Sequence, residues 1–138
     1  MINILVVTHG EFGAYLVEAA ESIVGRQDQG VRFVGVSPRL SVQEIRERVR
    51  KAVEELSGPD GLLLLTDMPG GTPSNLAFPI VRDAAGVEMA SGVNLYMLVS
   101  AFNHRSGMSL HQLRDKVLAD GQGSIRDLRR LLLSGNRC

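Results

Sequence analysis

The sequence predicts an α/β fold: a doubly wound, mainly parallel sheet with helices on both faces. Short apolar runs without polar alternation are typical of strands buried on both faces. Segments with apolar residues at helical spacing separate these runs, and much of the glycine, 15 residues in all, lies between the periodic segments. Strands and helices therefore alternate along the chain, and this order favours a parallel sheet.

The first quarter of the chain predicts two strands with a helix between them. Ile4 to Val7 is a short β-branched and apolar run, as expected for a buried strand. From Phe12 to Val24 the apolar residues recur at helical spacing, and Gly25 ends that helix. Val31 to Val36 predicts the second strand.

The second helix has a start signal, an apolar stripe and a stop signal. Ser41 and Glu44 are spaced for a capping box, in which the Ser41 hydroxyl accepts from the Glu44 N–H and the Glu44 carboxylate reaches back. Gly58 is placed to end the helix. The stripe consists of Ile45, Val49, Val53 and Leu56.

The middle of the chain predicts two more strands and a helix. Leu62 to Leu65 is bounded by turn residues, which favours a buried strand over a helix. Residues 66–75, TDMPGGTPSN, are predicted as a loop, and a helix follows from about Ser74 to Ala85. Since Pro79 lies inside it, this helix is either kinked or begins late. Val87 to Ala90 predicts the fourth strand.

Beyond the fourth strand the pattern predicts helices. Val93 to Phe102 is mostly apolar, and its spacing alone does not separate helix from strand. Ser109 with Gln112 caps a helix that we expect to reach about Ala119. A last helix is expected to open at Ser124, with Ile125, Leu128, Leu131 and Leu132 on one face and Gly135 after it.

Composition excludes several classes of protein. The 138 residues suit one domain, and no linker or repeat divides residues 1–138. The 15 basic and 15 acidic side chains cancel, which argues against a nucleic-acid binder. The apolar runs are too short for a membrane span, and the N-terminus lacks the pattern of a signal peptide. Cys138 is the single cysteine, which fits the reducing cytoplasm.

Two unusual loops are expected at one edge of the sheet. In an open α/β sheet, ligands bind at the carboxyl ends of the strands, where the strand order reverses. The flavodoxin-like order 2-1-3-4 places that point between strands 1 and 3. The loops that follow these strands are THGEFG, residues 8–13, and TDMPGGTP, residues 66–73. Topology and composition thus indicate the same crevice.

The residues of these loops suit phosphoryl transfer through a phosphohistidine. If Asp67 accepts a hydrogen bond from one ring nitrogen of His9, it holds the proton on that nitrogen and leaves the other nitrogen free as a nucleophile. Backbone N–H groups of Gly70 and Gly71, with the hydroxyl of Thr72, can approach an anion closely. The helix that starts after Gly10 offers further N–H groups, so Gly10 is counted among the phosphate-binding residues.

Taken singly, these features have ordinary interpretations. A histidine after a strand is more often structural or solvated, an aspartate there is often a turn residue, and PGG alone is usually a turn. His104 and His111 lack a cluster of further ligands, so we predict no metal site and no cofactor. The basic face formed by Arg126, Arg129 and Arg130 is interpreted as a solvated helix surface.

Together, VVTHGEFG and LLLLTDMPGGTPSN resemble the IIA domain of the mannose-type sugar phosphotransferase system (PTS). The resemblance covers about residues 1 to 120 and includes SGVNLYML, residues 91–98. Since the family has a helix after the GVN turn, it favours a helix from about Leu95 to Phe102. Either main motif alone is weak, whereas both at the right separation are fairly specific.

The resemblance implies a function and a set of partners. It implies that His9 accepts a phosphoryl group from the phosphocarrier HPr and passes it to a IIB domain. Asp67 would orient His9, while Gly70, Gly71 and Thr72 would stabilise the phosphate. The family forms homodimers, often by exchanging a C-terminal strand, and only SGNRC follows the last predicted helix here. We expect no fused IIB domain, a separate IIB component, and membrane contact only through transporter subunits.

Three other functions were weighed. The chain could be a regulatory phosphoprotein that reports sugar or energy supply through the same histidine. It could be the phosphotransfer subunit of a dihydroxyacetone kinase, although PGGTPSN fits the mannose type better. The sequence argues against a histidine phosphatase, because its RHGE signature needs an arginine where this chain has Thr8.

Overall fold

The sheet has four parallel strands in the order β2-β1-β3-β4. A computed structural model describes residues 1–135, and residues 136–138, which include Cys138, lie outside the described part. The strands are β1 (Asn3–His9), β2 (Val31–Val36), β3 (Leu62–Thr66) and β4 (Val87–Ala90). The helices are α1 (Phe12–Val24), α2 (Val42–Leu56), α3 (Thr72–Arg82), α4 (Leu95–His104), α5 (Leu110–Gly123) and α6 (Leu128–Leu133). The predicted fold class and strand order are confirmed.

The two central strands are buried on both faces, which explains their unbroken apolar sequences. Successive side chains of a strand point to opposite faces of the sheet. One face of β1 and β3 packs against α1, α4 and α5 through Ile4, Val6, Leu63 and Leu65. The other face packs against α2 and α3 through Leu5, Val7, Leu62 and Leu64. All eight side chains are 0% exposed, so the centre of the sheet is a rigid platform.

The register of the sheet brings the two unusual loops together. In the β1–β3 pair, Val7 lies opposite Thr66, the last residue of β3. Asp67 therefore leaves the sheet beside the end of β1, where His9 is the last strand residue. The predicted helix after the GVN turn is also confirmed as α4, with Asn94 as its N-cap.

Several predicted helix ends need correction. α3 does not begin late. It starts at Thr72 with Pro73 in the first turn, where a missing N–H costs no helical hydrogen bond, and it includes Pro79. Residues 72–75 therefore belong to this helix rather than to the predicted loop. In α2 the Ser41 hydroxyl accepts from the Glu44 N–H as predicted, but the Glu44 carboxylate contacts that hydroxyl instead.

The prediction that Ser124 opens the last helix is wrong. Ser124 is the C-cap of α5, and the side chain of Asp127 caps α6. α5 runs past Ala119 to Gly123, and its Gly121 packs closely against α4. A Cβ at Gly121 would lie 2.4 Å from Cγ of Met97. Local sequence does not contain this packing constraint.

A buried arginine holds together the amino-terminal edge of the sheet, opposite the candidate site. Arg105, just after α4, is 3% exposed and has no carboxylate partner among residues 1–135. Its guanidinium donates to the carbonyls of Gln29 (2.7 Å) and Ile2 (3.3 Å) and to Oε1 of Gln27 (3.1 Å). Burial lowers the pKa of Arg105, but an arginine stays charged at neutral pH.

We expect Arg105→Leu to lower the free energy of unfolding by about 2–4 kcal/mol, because it leaves the buried Ile2 carbonyl and the half-buried Gln29 carbonyl without this donor. Arg26→Leu is the matched control, since Arg26 is exposed and, within residues 1–135, its ion pair is with Asp28; its effect should stay within about 0.5 kcal/mol. Urea denaturation measures both. Equal effects of the two substitutions would contradict the structural role of Arg105.

Candidate functional site

His9 and Asp67 meet where β1 and β3 end. Oδ2 of Asp67 accepts a hydrogen bond from the His9 backbone N–H at 2.8 Å and lies 2.7 Å from Nδ1 of the His9 ring. Oδ1 accepts from the Met68 N–H at 3.0 Å. The His9 side chain is 50% exposed and that of Asp67 is 13% exposed. The carboxylate is therefore sheltered, whereas the imidazole is half open to solvent.

This contact determines which nitrogen of His9 is free. An ionised carboxylate only accepts hydrogen bonds, so Nδ1 carries the proton that it shares with Asp67. In the neutral imidazole Nε2 then has no proton and keeps its lone pair. Nε2 is thus the ring nitrogen that can act as a nucleophile.

The charge of Asp67 is favoured by its contacts. Partial burial acts to raise the pKa of Asp67, but the hydrogen bonds from the His9 N–H and ring outweigh it, and the net pKa lies below its ordinary value. Asp67 is consequently ionised at neutral pH and remains an acceptor for Nδ1.

Gly71 lies directly against the His9 ring. A Cβ at this position would be 3.1 Å from Cε1 and 3.7 Å from Nε2 of His9. Gly70 precedes it with φ +75°, a conformation that side chains with a Cβ rarely adopt. Asn75 supports the turn, since its Nδ2 donates to the Gly70 carbonyl at 3.1 Å. Both glycines are thus required by the shape of the loop.

The start of α3 faces the same region. Gly71 is its N-cap and Thr72 its first residue, and within residues 1–135 no side chain caps this helix end. N–H groups in the first turn of a helix have no intrahelical partner, and the helix dipole favours an anion there. Of the positions predicted for phosphate binding, Gly71 therefore lies against the His9 ring, and Gly70 and Thr72 are its neighbours in the chain.

Gly10 lies in the turn after β1, away from the start of α3. Its N–H donates to the Val36 carbonyl of β2 at 2.8 Å, so this amide is engaged in the turn after β1. The next helix is fixed by Thr8, whose buried hydroxyl accepts from the Gly13 N–H at 2.7 Å. These two hydrogen bonds fix the main chain on either side of His9.

Comparisons with known proteins identify the family. The family model described as the PTS system fructose IIA component (EIIA-man) matches residues 3–118.

The chain belongs to this mannose-type EIIA family.

Relatives of this EIIA domain carry PTS names. The chain is 28% identical over 126 residues to the PTS system fructose-specific EIIA component of Bacillus subtilis, covering 91% of this chain and 86% of that protein. It is 33% identical over 129 residues to the PTS system mannose-specific EIIAB component of Escherichia coli K12. That match covers 93% of this chain and 40% of the relative's length. These relatives support a phosphocarrier role in the PTS.

A solved structure has the same fold. The PTS component EIIA from Streptococcus agalactiae superposes with a TM-score of 0.84 at 28% identity, covering 94% of this chain and 99% of the other. In the described part of this EIIA domain, no helix has the length and apolarity needed to cross a membrane.

The other histidines of this EIIA domain lie on α4 and α5. Nδ1 of His104 is 2.8 Å from the Ser100 carbonyl, and His111 pairs with Glu88 at 3.0 Å. No group of three potential metal ligands occurs among residues 1–135. The three arginines interpreted as a solvated surface, Arg126, Arg129 and Arg130, are exposed.

Sequence reasoning missed the hydroxyl groups beside the site. Thr8 precedes His9 and Thr66 precedes Asp67, and both threonines are 0% exposed. Thr66 bonds to Ser74, a residue that the sequence analysis used only to mark a helix start. The repeated signal, a threonine before each functional residue at the end of a buried strand, was visible in the sequence.

We expect Asp67→Ala to keep a cooperative unfolding transition and to lose about 1 kcal/mol of stability at pH 7, because a charged acceptor of hydrogen bonds is removed. The pKa of Asp67 is lower in the folded protein than in the unfolded chain, where it is about 4. Asp67 therefore makes its full contribution to the free energy of unfolding above about pH 4, and this contribution disappears as the pH falls through the folded-state pKa. The stability difference between wild type and variant should therefore shrink below about pH 4. Denaturation at several pH values measures it, and a constant difference would contradict the lowered pKa.

Proposed function

We propose that this EIIA domain is a phosphocarrier in which His9 takes a phosphoryl group from phospho-HPr and passes it to a IIB component for sugar uptake. The observation that carries the proposal is the contact between Asp67 and Nδ1 of His9, which leaves Nε2 free beside Gly71. The Nε2 lone pair forms a new N–P bond while the N–P bond of the donor breaks, and its electron pair returns to the donor nitrogen. Transfer to IIB repeats this exchange.

The neighbouring groups support the charges of this reaction. Phosphorylation at Nε2, with the proton still on Nδ1, makes the ring cationic, and Asp67 offsets that charge. The phosphoryl oxygens are assigned to the start of α3, with Gly70, Gly71 and Thr72 as donors. Gly10 contributes the turn that presents His9.

The half-exposed His9 side chain can be reached by a partner protein. His9 lines neither of the two neighbouring hollows, of about 470 Å³ beside Gly10 and about 330 Å³ beside Gly70. Large apolar side chains near it, Phe12 and Met68, are about half exposed. An open histidine with an apolar rim can be reached by a partner's histidine or IIB residue. We place this exchange in the cytoplasm, with membrane contact through transporter subunits only.

A homodimer is part of the proposal. Ile23, Tyr96 and Ile125 are exposed and line an apolar hollow of about 630 Å³, and α6 beside it has no buried residue. Such a contiguous apolar surface is typical of an interface. We assign it to a second copy of this chain, in keeping with the dimers that the family resemblance implies.

We expect phosphorylation of His9 to be directly measurable with labelled phosphoenolpyruvate, enzyme I and HPr. The wild type should acquire an acid-labile, base-stable label, and His9→Ala should remain unlabelled because Nε2 is gone. Asp67→Ala should be labelled more slowly, by roughly tenfold or more. His104→Ala is the matched control, since that histidine lies on α4. Equal labelling of wild type and His9→Ala would disprove the proposal.

We expect the wild type to sediment as a dimer of twice its 15.0 kDa. Ile125→Glu should shift it toward the monomer by placing a charge in the apolar surface. Val42→Glu, a change at another exposed apolar residue, on α2, is the control and should leave the dimer intact. A monomeric wild type would exclude the homodimer, and a dimeric Ile125→Glu would assign the interface elsewhere.

A further inference from the structure

Three groups link the end of β3 to the start of α3 beneath the site. Oγ1 of Thr66 lies 2.6 Å from Oγ of Ser74, and Oγ of Ser74 lies 2.7 Å from the carbonyl oxygen of Met68. Thr66 is 0% and Ser74 9% exposed. The chain of hydrogen bonds is therefore sheltered from water, where such bonds are stronger than on a surface.

The direction of these hydrogen bonds follows from their chemistry. A carbonyl oxygen only accepts, so the single hydroxyl proton of Ser74 goes to Met68. In the contact between the two hydroxyls, Ser74 must therefore be the acceptor and Thr66 the donor. The hydrogen bonds thus run from Thr66 to Ser74 and from Ser74 to the Met68 carbonyl. Each hydroxyl that donates also polarises the next one in the chain.

Met68 connects this chain to Asp67. Its carbonyl is held by Ser74 and its N–H donates to Oδ1 of Asp67 at 3.0 Å. The other carboxylate oxygen of Asp67 receives the His9 N–H and faces Nδ1. A displacement of Met68 would therefore rotate the carboxylate relative to the His9 ring.

We propose that Ser74, supported by Thr66, is a positioning residue that holds the Asp67 carboxylate against His9 and so maintains the Nδ1–H form of the ring. Ser74 does not touch the reacting atoms. A reactive group must be held by side chains that are themselves fixed by hydrogen bonds. The effect of Ser74 on phosphoryl transfer rests on the function proposed above, whereas its effect on the His9 proton does not.

The role as an ordinary helix cap does not account for these contacts. A serine that caps a helix accepts from an N–H of the first turn. The Ser74 hydroxyl instead donates to the loop that carries Asp67, and α3 has no side-chain cap within residues 1–135. The hydroxyl is thus used to fix the loop.

The experiment measures the proton position of His9 and the transfer rate in matched variants. Thr66→Val removes the hydroxyl and keeps the shape, whereas Thr66→Ser keeps the hydroxyl. Ser74→Ala removes the central group. Ser100→Ala is the control, because Ser100 is equally buried on α4 and donates to Asp120 at 2.7 Å, in a contact that involves neither His9 nor Asp67. Nitrogen-15 NMR of the ring distinguishes Nδ1–H from Nε2–H.

We expect wild type, Thr66→Ser and Ser100→Ala to give the Nδ1–H spectrum and similar transfer rates. Ser74→Ala and Thr66→Val should show a mixture of the two ring forms and a transfer rate lower by roughly tenfold. A wild-type spectrum and rate in both variants would overturn the proposal. So would an equal loss of rate in Ser100→Ala, which would indicate a general effect of stability.

The two proposals can fail separately. If the wild type is not labelled by phospho-HPr, the proposed function fails, and the NMR spectra of the unphosphorylated variants still decide the role of Ser74. If Ser74→Ala does not fold, Ser74→Cys decides it, because the thiol keeps the shape of the side chain and is a weaker donor than the hydroxyl. A wild-type spectrum for Ser74→Cys would then overturn the positioning role.

Discussion

The contact between Asp67 and His9 is the constraint on which the site depends. It joins the ends of two adjacent parallel strands, whose register places Val7 opposite Thr66. One carboxylate oxygen receives both the His9 backbone N–H and the ring, so the same group fixes the main chain and the side chain. The register of the sheet thereby determines which ring nitrogen of His9 is left free. A slip of one residue between β1 and β3 would separate the pair.

Small or polar residues surround the His9–Asp67 pair and complete the site. Gly71 leaves room for the ring, and Gly70 turns the chain so that α3 starts beside it. Because no side chain within residues 1–135 caps α3, its first N–H groups remain available to an anion. Thr8 and Ser74 anchor the two loops from below. Flexible loops would lose the alignment that phosphoryl transfer requires.

The stabilising interactions lie largely away from this edge. The central strands are buried between two layers of helices. At the opposite, amino-terminal edge of the sheet, Arg105 donates hydrogen bonds to the carbonyls of Ile2 and Gln29. His9, in contrast, is half exposed. This separation lets the reactive edge stay open to another protein, while burial elsewhere provides the stability of the fold.

The sequence by itself determined the fold class and the pair of loops, because unbroken apolar strands and helical stripes are local patterns; the strand order was taken from the flavodoxin-like fold and is confirmed. It also placed His9 and Asp67 at strand ends. Helix limits such as those at Ser124 and Thr72 were misjudged, since packing of α5 on α4 and the glycine turn decide them. Only the tertiary structure decided which carboxylate oxygen meets Nδ1, that the Gly10 amide is engaged, and that Ser74 holds the Met68 carbonyl. The first two contacts join segments far apart in the chain, and the third depends on how the loop after β3 folds back onto α3, so no local sequence pattern encodes them.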